Sequence, residues 1–364
     1  MSIILFIVIL GVLILAHEFG HFIAAKRAGI RVDEFGIGFP PRLWGKTVGE
    51  TTYSLNTFPV GGFVKIFGEN PDEESLHGAD SARSFVRKSK LIQAWVISAG
   101  VVFNLLLAWV LLSLGFMIGV PYSPDDTVNG ARVTNAELTI TQVKPNSPAD
   151  VAGLRAGDKI ISLASGKDVL EGVDVDSVQK FIARHDELEL TYSRGGEMKT
   201  ASASTKDGLV EGRRAIGISM DMAGILKLPV HQALYAGAET TLLFTASTAV
   251  GIVSFFMNIF SGSADFSQVS GPVGIVGVVG ASAALGFVYI LSLMALISIN
   301  LAVINLLPFP ALDGGRLLFI LIEVIKGSPI KPAIANAANG IGFILLILLM
   351  IVVTYNDIVK IVVG

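Results

Sequence analysis

The chain has 364 residues, 52% of them hydrophobic and 16% charged, with a mean hydropathy of +0.67. That balance excludes an ordinary soluble enzyme and predicts a membrane protein carrying some water-soluble mass. A net charge of −3 without a long basic block gives no footing for nucleic acid, and the absence of cysteine excludes disulfides and thiolate metal sites.

Residues 2–25 form an apolar run long enough to cross about 30 Å of hydrocarbon as a helix. The run lacks a basic leader, and cleavage near Ala24-Ala25 would discard its polar end, so it reads as a retained span. That polar end is His17-Glu18-Phe19-Gly20-His21, an H-E-x-x-H motif. Four residues apart on a helix, His17 and His21 share one face and can reach one zinc ion. Glu18, beside them, can take a proton from a water that the metal activates. The bland alternative is two histidines and a glutamate packed at a helix end. Within hydrocarbon, ionisable side chains mark functional sites by default, which favours the metal. Catalytic zinc takes three protein ligands and keeps one position open, so a third polar group is expected in a distant apolar segment.

Residues 26–90 carry Lys26, Arg27, Arg31, Arg42, Lys46, Lys65, Arg83, Arg87, Lys88 and Lys90. The positive-inside rule makes this loop cytoplasmic and the N-terminus external. Within it, Gly36 to Pro41 is turn-rich. Alternation, aromatics and Gly61-Gly62 predict a β-hairpin over residues 53–66. Its candidate contact residues are Phe58, Gly61, Gly62, Phe63 and Val64. Two readings stand level: a small hairpin packed on the helices, or an open strand edge that accepts an extended peptide.

Residues 91–119 form a second span containing Asn104, which either glues helices or faces an active cavity. Residues 120–230 regain charge, Gly and Ser, have the size of one domain, and by topology lie outside. In the stretch from Ile140 to Ile161, strand, turn, short helix, turn and strand follow one another. That stretch resembles a PDZ domain, a module that binds peptide ends by strand addition. Residues 231–285 are expected to be a membrane-associated helix and linker: 232–260 read as a third span or, preferably, as an interfacial or partly embedded helix, and Ser261 to Gln268 form a polar break. Residues 286–364 complete the membrane core. A span over 286–307 contains Asn300 and Asn305 and runs into Leu307-Pro308-Phe309-Pro310-Ala311-Leu312-Asp313-Gly314-Gly315. Backbone broken at membrane depth is tolerated only where protein buries it or it lines a cavity. Asp313 is thus the candidate third ligand, and it can serve at the same time as an N-cap. If 232–260 stays at the surface, the 286–307 span delivers Asp313 to the inner side, level with the histidines. The expected architecture is a polytopic helical membrane protein of about four spans, with a β-hairpin and one inserted α+β domain.

Taken together, these motifs resemble the site-2 proteases, of the bacterial regulator-of-sigma-E protease type. The likeness rests on the H-E-x-x-H motif, the segment Phe58 to Lys65, Ala99-Gly100 with Asn104, the single PDZ-like insert, Gly271-Pro272-Val273-Gly274-Ile275, and Asn305-x-x-Pro308-x-Pro310-x-Leu312-Asp313-Gly314-Gly315. It implies a zinc endopeptidase in a bacterial inner membrane. His17, His21 and Asp313 would bind zinc, Glu18 would be the acid/base, and Asn305 would hold substrate or oxyanion. Asn104, Pro308 and Pro310 join the residues of the 53–66 segment as the candidate substrate contacts. Implied partners are single-pass membrane proteins such as anti-sigma factors or remnant signal peptides, the lipid bilayer, and peptide ends at the insert. The family's usual Gly-Phe-Gly-Pro is Gly38-Phe39-Pro40-Pro41 here, and the Pro usual after Gly100 is Val101. The rival class is non-enzymatic, a zinc transporter or a PDZ scaffold. A transporter needs polar residues along a whole path, and a scaffold has no use for Glu18 between two ligands.

Overall fold

A computed structural model describes residues 1–70, 72–122, 134–210, 213–262 and 270–363. The chain divides into two compact units, one formed by Met1–Leu114 with Gly237–Val363 and the other by Gly115–Ala236.

In the first unit, helix α1 (Ser2–Arg27) leads into strands β1 (Val32–Val48) and β2 (Thr51–Ile66), then the short helix α2 (Glu73–His77) and the long helix α3 (Lys90–Ile118). Glu50 sits at the β1–β2 turn and pairs with Lys26 at 2.7 Å and Arg83 at 2.6 Å. Hydrogen bonds from these two cations hold its carboxyl below the usual range and tie the turn to the end of α1. Residues 34–37 of β1 pair twice, with 62–65 on one side and with 52–55 on the other, while 44–48 pair with 51–55. The stretch 62–66 is therefore a margin of this small sheet.

This arrangement corrects the hairpin expected over residues 53–66. The two arms do not pair with each other: 52–55 and 62–65 run in opposite directions on either side of residues 34–37, Gly61-Gly62 lie within β2, and the tight turn that joins β1 to β2 is at Gly49-Glu50. The partner strand was masked by its glycines and prolines. Gly36 is no breaker here: the Phe63 ring covers it across the strands, where a Cβ would come within 2.5 Å of the ring.

The second unit contains β3 (Val120–Tyr122), β4 (Thr134–Val143), α4 (Pro148–Val151), β5 (Lys159–Ser165), β6 (Asp168–Glu171), α5 (Val175–Arg184), β7 (Glu187–Arg194), β8 (Glu197–Ser204), β9 (Lys206–Val210), β10 (Arg213–Ala215) and β11 (Ile218–Leu226). The sheet order is β3-β11-β4-β5-β7-β8, with β6 beside β5 and β9–β10 as a separate ribbon. Val178 and Ile182 of α5 pack on Leu138, Ile140, Leu163 and Leu190 of the sheet. The start of α5 is held by a capping box between Asp174 and Ser177.

The chain returns to the first unit through α6 (Val230–Phe260), followed by α7 (Pro272–Leu285), α8 (Phe287–Leu306), α9 (Asp313–Lys326) and α10 (Pro332–Val363). Of the predicted polar break, residues 263–268 lie outside the described residues. Among the described residues, five helices are long and apolar enough to cross a membrane, against the four or so expected. The extra one is α6. It does not lie apart from the bundle: Gly237 sits against Ser113, Thr248 donates to Asn300 Oδ1 at 3.3 Å, and Ala249 and Ile252 pack against the Ala108–Leu111–Ala295 cluster. Its other faces expose Leu242, Leu243, Phe244, Val250 and Val253, a surface matched to lipid.

Helix α7 braces α1, with Ile275 and Val279 on Ile9 and Leu13. The first turn of α7 is capped from a distance. The buried carboxylate of Asp357 accepts from Gly271 N–H at 3.1 Å and Gly274 N–H at 2.7 Å. A carboxylate there satisfies orphan donors and favours the helix dipole. Asp357→Leu strands those donors, which costs about 1–3 kcal/mol. We expect it to lower the thermal unfolding midpoint in detergent, and Asp357→Asn, which keeps an acceptor, to lower it less. An unchanged midpoint for Asp357→Leu would show that the cap does not support the fold.

Candidate metal centre

The motif on α1 and the start of α9 meet inside the first unit. His17 and His21 are each only 8% exposed, and their Nε2 atoms are 3.1 Å apart. Asp313 Oδ2 lies 3.0 Å from His17 Nε2 and 3.3 Å from His21 Nε2. The carboxylate reaches this point because the helix stops at Leu306 and resumes at Asp313. Ala311, in the break, is held at φ +74°, a conformation that disfavours a residue with a Cβ, and Asn339 of α10 accepts its N–H at 3.1 Å.

This donor set fits a metal. Asp313 Oδ2 is buried with no hydrogen-bond partner, and it converges with two imidazole nitrogens within about one atomic diameter. Three lone pairs so placed repel unless a cation sits among them. Ligands about 2.0–2.1 Å from a tetrahedral ion stand roughly 3.3 Å apart, close to the spacings seen, and two nitrogens with one carboxylate oxygen suit zinc. His21 is already oriented for that role: its Nδ1 donates to Val96 O of α3 at 2.9 Å, which leaves Nε2 bare. Gly100 of α3 makes the room, since a Cβ there would lie 2.5 Å from His21 Nε2 and 2.6 Å from His17 Cε1.

A cavity of about 250 Å³ opens beside the cluster, lined by His17, Glu18, His21 and Asp313 and on its other walls by Phe63, Val64, Glu69 and Arg316. Glu18 Oε2 accepts from Val64 N–H at 3.1 Å, so the sheet margin reaches the carboxylate next to the His–His–Asp cluster. Arg316, one helical turn beyond Asp313, pairs with Glu69 and ties α9 to the segment after β2.

Of the remaining candidates, Phe63 and Val64 join the cavity, and Gly61 and Gly62 are buried within β2. Phe58 and Pro308 are exposed, Pro310 is half-buried, and half-buried Asn305 does not line this cavity. Asn104 is fully buried against His17. Residue patterns gave no warning of Val96, whose contribution is a backbone carbonyl, or of Asn339 and Glu69. Arg316 did carry a signal, as a lone cation in an apolar helix.

Comparison with known proteins agrees with this geometry. The model of peptidase family M50 matches residues 5–349. Candidate zinc metalloproteases of Clostridium acetobutylicum and Clostridium perfringens are 34% and 35% identical to the chain, covering 98% and 99% of it and 97% and 99% of their own lengths. The zinc metalloprotease RasP of Shouchella clausii is 30% identical over 98% of both chains. The chain belongs to peptidase family M50, the site-2 protease family. It is a multi-pass membrane metalloprotease.

Removing one ligand separates binding from chemistry. Asp313→Ala is expected to leave purified protein without stoichiometric zinc by elemental analysis, while Glu18→Gln keeps it. Full zinc in Asp313→Ala would remove that carboxylate from the metal shell.

Proposed function

We propose that the protein is a zinc endopeptidase that cuts the transmembrane segments of single-pass membrane proteins, using His17, His21 and Asp313 as ligands and Glu18 as acid/base. The observation that carries this reading is the buried His–His–Asp cluster with Glu18 hydrogen-bonded to the margin of a sheet. Zinc bound there supplies Lewis acidity to a peptide carbonyl and to water. Glu18 takes a proton from the attacking water and returns it to the leaving amine. Asn305 is assigned to holding substrate or oxyanion on the family resemblance alone.

A peptide bond within a membrane helix is shielded by its own backbone hydrogen bonds, so the substrate must unwind. The margin 62–66 offers replacement bonds by strand addition. Val64 is the informative position, because its N–H points to Glu18 and away from β1. Proline there removes a margin donor without removing a ladder bond. Val64→Pro should retain zinc and fold yet cut a transmembrane reporter at least about tenfold more slowly, a loss on the scale of one charged hydrogen bond. Wild-type turnover by the folded variant would end the strand-addition reading.

The positive-inside rule places the N-terminus and the Gly115–Ala236 unit outside and the metal toward the inner face. Helix α8 starts beside the outer part of α1, with Ile290 near Ile9, and ends close to Asp313, so it runs in the same direction as α1. A fifth crossing by α6 is compatible with that direction provided the chain returns before α8. A crossing at 232–260 therefore need not carry Asp313 away from the histidines.

The Gly115–Ala236 unit acts as a PDZ-type filter or docking site. A groove of about 280 Å³ between α5 and β11, lined by Gln179, Ile182, Ile218 and Met220, has the place and polarity for a peptide end. The test pairs a long and a pre-trimmed single-pass substrate in membranes. Glu18→Gln should lower cleavage of both by at least about 100-fold. Deleting the unit should spare the short substrate and release the long one. Loss of the short substrate in a zinc-loaded deletion variant would show that the unit serves positioning or catalysis.

A further inference from the structure

Asn104 is an amide in the middle of a charge-free span, and it is completely buried, so it has no route to a substrate. Its backbone carbonyl accepts from Ser298 Oγ at 2.8 Å, which fixes the residue between α3 and α8. Its side-chain nitrogen stands 3.3 Å from His17 Nδ1, and its Oδ1 is buried without a hydrogen-bond partner.

The chemistry of His17 decides what this contact is. His17 turns Nε2 toward Asp313 and His21. A neutral imidazole that offers Nε2 to a metal carries its proton on Nδ1, and that proton needs an acceptor. An amide nitrogen cannot accept it. The oxygen and nitrogen of an Asn side chain have the same shape, so a half-turn of the amide places Oδ1 on His17 instead. The orientation with nitrogen on His17 leaves Oδ1 unpartnered and sets N–H against N–H, and the turned one avoids that clash. The comparison with His21 is direct: there a backbone carbonyl, Val96 O, already fills this role.

We propose that Asn104 is a positioning residue whose Oδ1 accepts from His17 Nδ1–H, locking the ring in the tautomer that leaves Nε2 free for zinc. The inference rests on the metal reading of the cluster. Outer partners of this kind typically change metal affinity by about 10–100-fold.

The experiment measures zinc affinity of the full-length protein in detergent by competition with a fluorescent chelator, with unfolding of the zinc-free form followed alongside. Asn104→Ala should bind zinc about 10–100-fold more weakly. Asn104→Asp, which can accept but not donate when ionised, should bind as tightly as the wild type or more tightly. A merely structural amide would lose stability in both variants and leave affinity alone. Unchanged affinity in Asn104→Ala overturns the proposal, as does weak binding by a folded Asn104→Asp, which stands as a test even where the alanine variant does not fold. His17→Ala separates the two levels. If it keeps full zinc affinity, the metal reading itself fails. If it loses zinc while Asn104→Ala keeps it, only the role of Asn104 fails.

Discussion

Two imidazole nitrogens and one carboxylate oxygen, buried within 3.3 Å of one another, are the constraint around which the membrane unit is built. Converging donors buried in this way suit a cation. Each neighbouring element can be understood by what it does for that point. Helix α1 presents the histidines on one face. Helix α3 contributes the empty space at Gly100 and the carbonyl of Val96. The break between α8 and α9 brings in Asp313, at the expense of a strained Ala311 that Asn339 holds in place. Helix α7, capped by Asp357, packs on the opposite part of α1.

The small sheet has a second logic. Its exposed residues include Ile37, Phe39, Leu43, Trp44, Leu55 and Phe58, side chains poorly suited to water. Its margin at 62–66 reaches the cavity, where Val64 N–H holds Glu18. The Glu18 carboxylate and the row of backbone groups on the margin are therefore joined by one hydrogen bond.

Membership in family M50 agrees with this geometry, since the matched region, residues 5–349, contains both halves of the metal cluster and the unit between them. More than 290 positions separate the histidines from the carboxylate, and the Gly115–Ala236 unit lies between them in the chain. Such an insertion is tolerated because the two halves are brought together by helix packing inside the membrane unit, where the long connection adds only slowly growing entropy.

The amino-acid sequence alone determined that the chain is a membrane protein, because apolar run length measures membrane thickness directly. It also pointed to the residues that meet in the His–His–Asp cluster: His17 and His21 through helical spacing, and Asp313 through its isolation in a broken apolar segment. Tertiary structure alone decided the rest. The β1–β2 turn at Gly49-Glu50 was hidden because β1 carries glycines and prolines whose places are set by a cross-strand ring and not by local preference. The alignment of α6 with the bundle was hidden because an apolar helix has the same composition whether it lies along a membrane or through it. The partners of the site, from Val96 and Asn104 to Asn339 and Arg316, come from helices distant in sequence. Their roles are defined by a few ångströms of separation, which no local pattern of residues encodes.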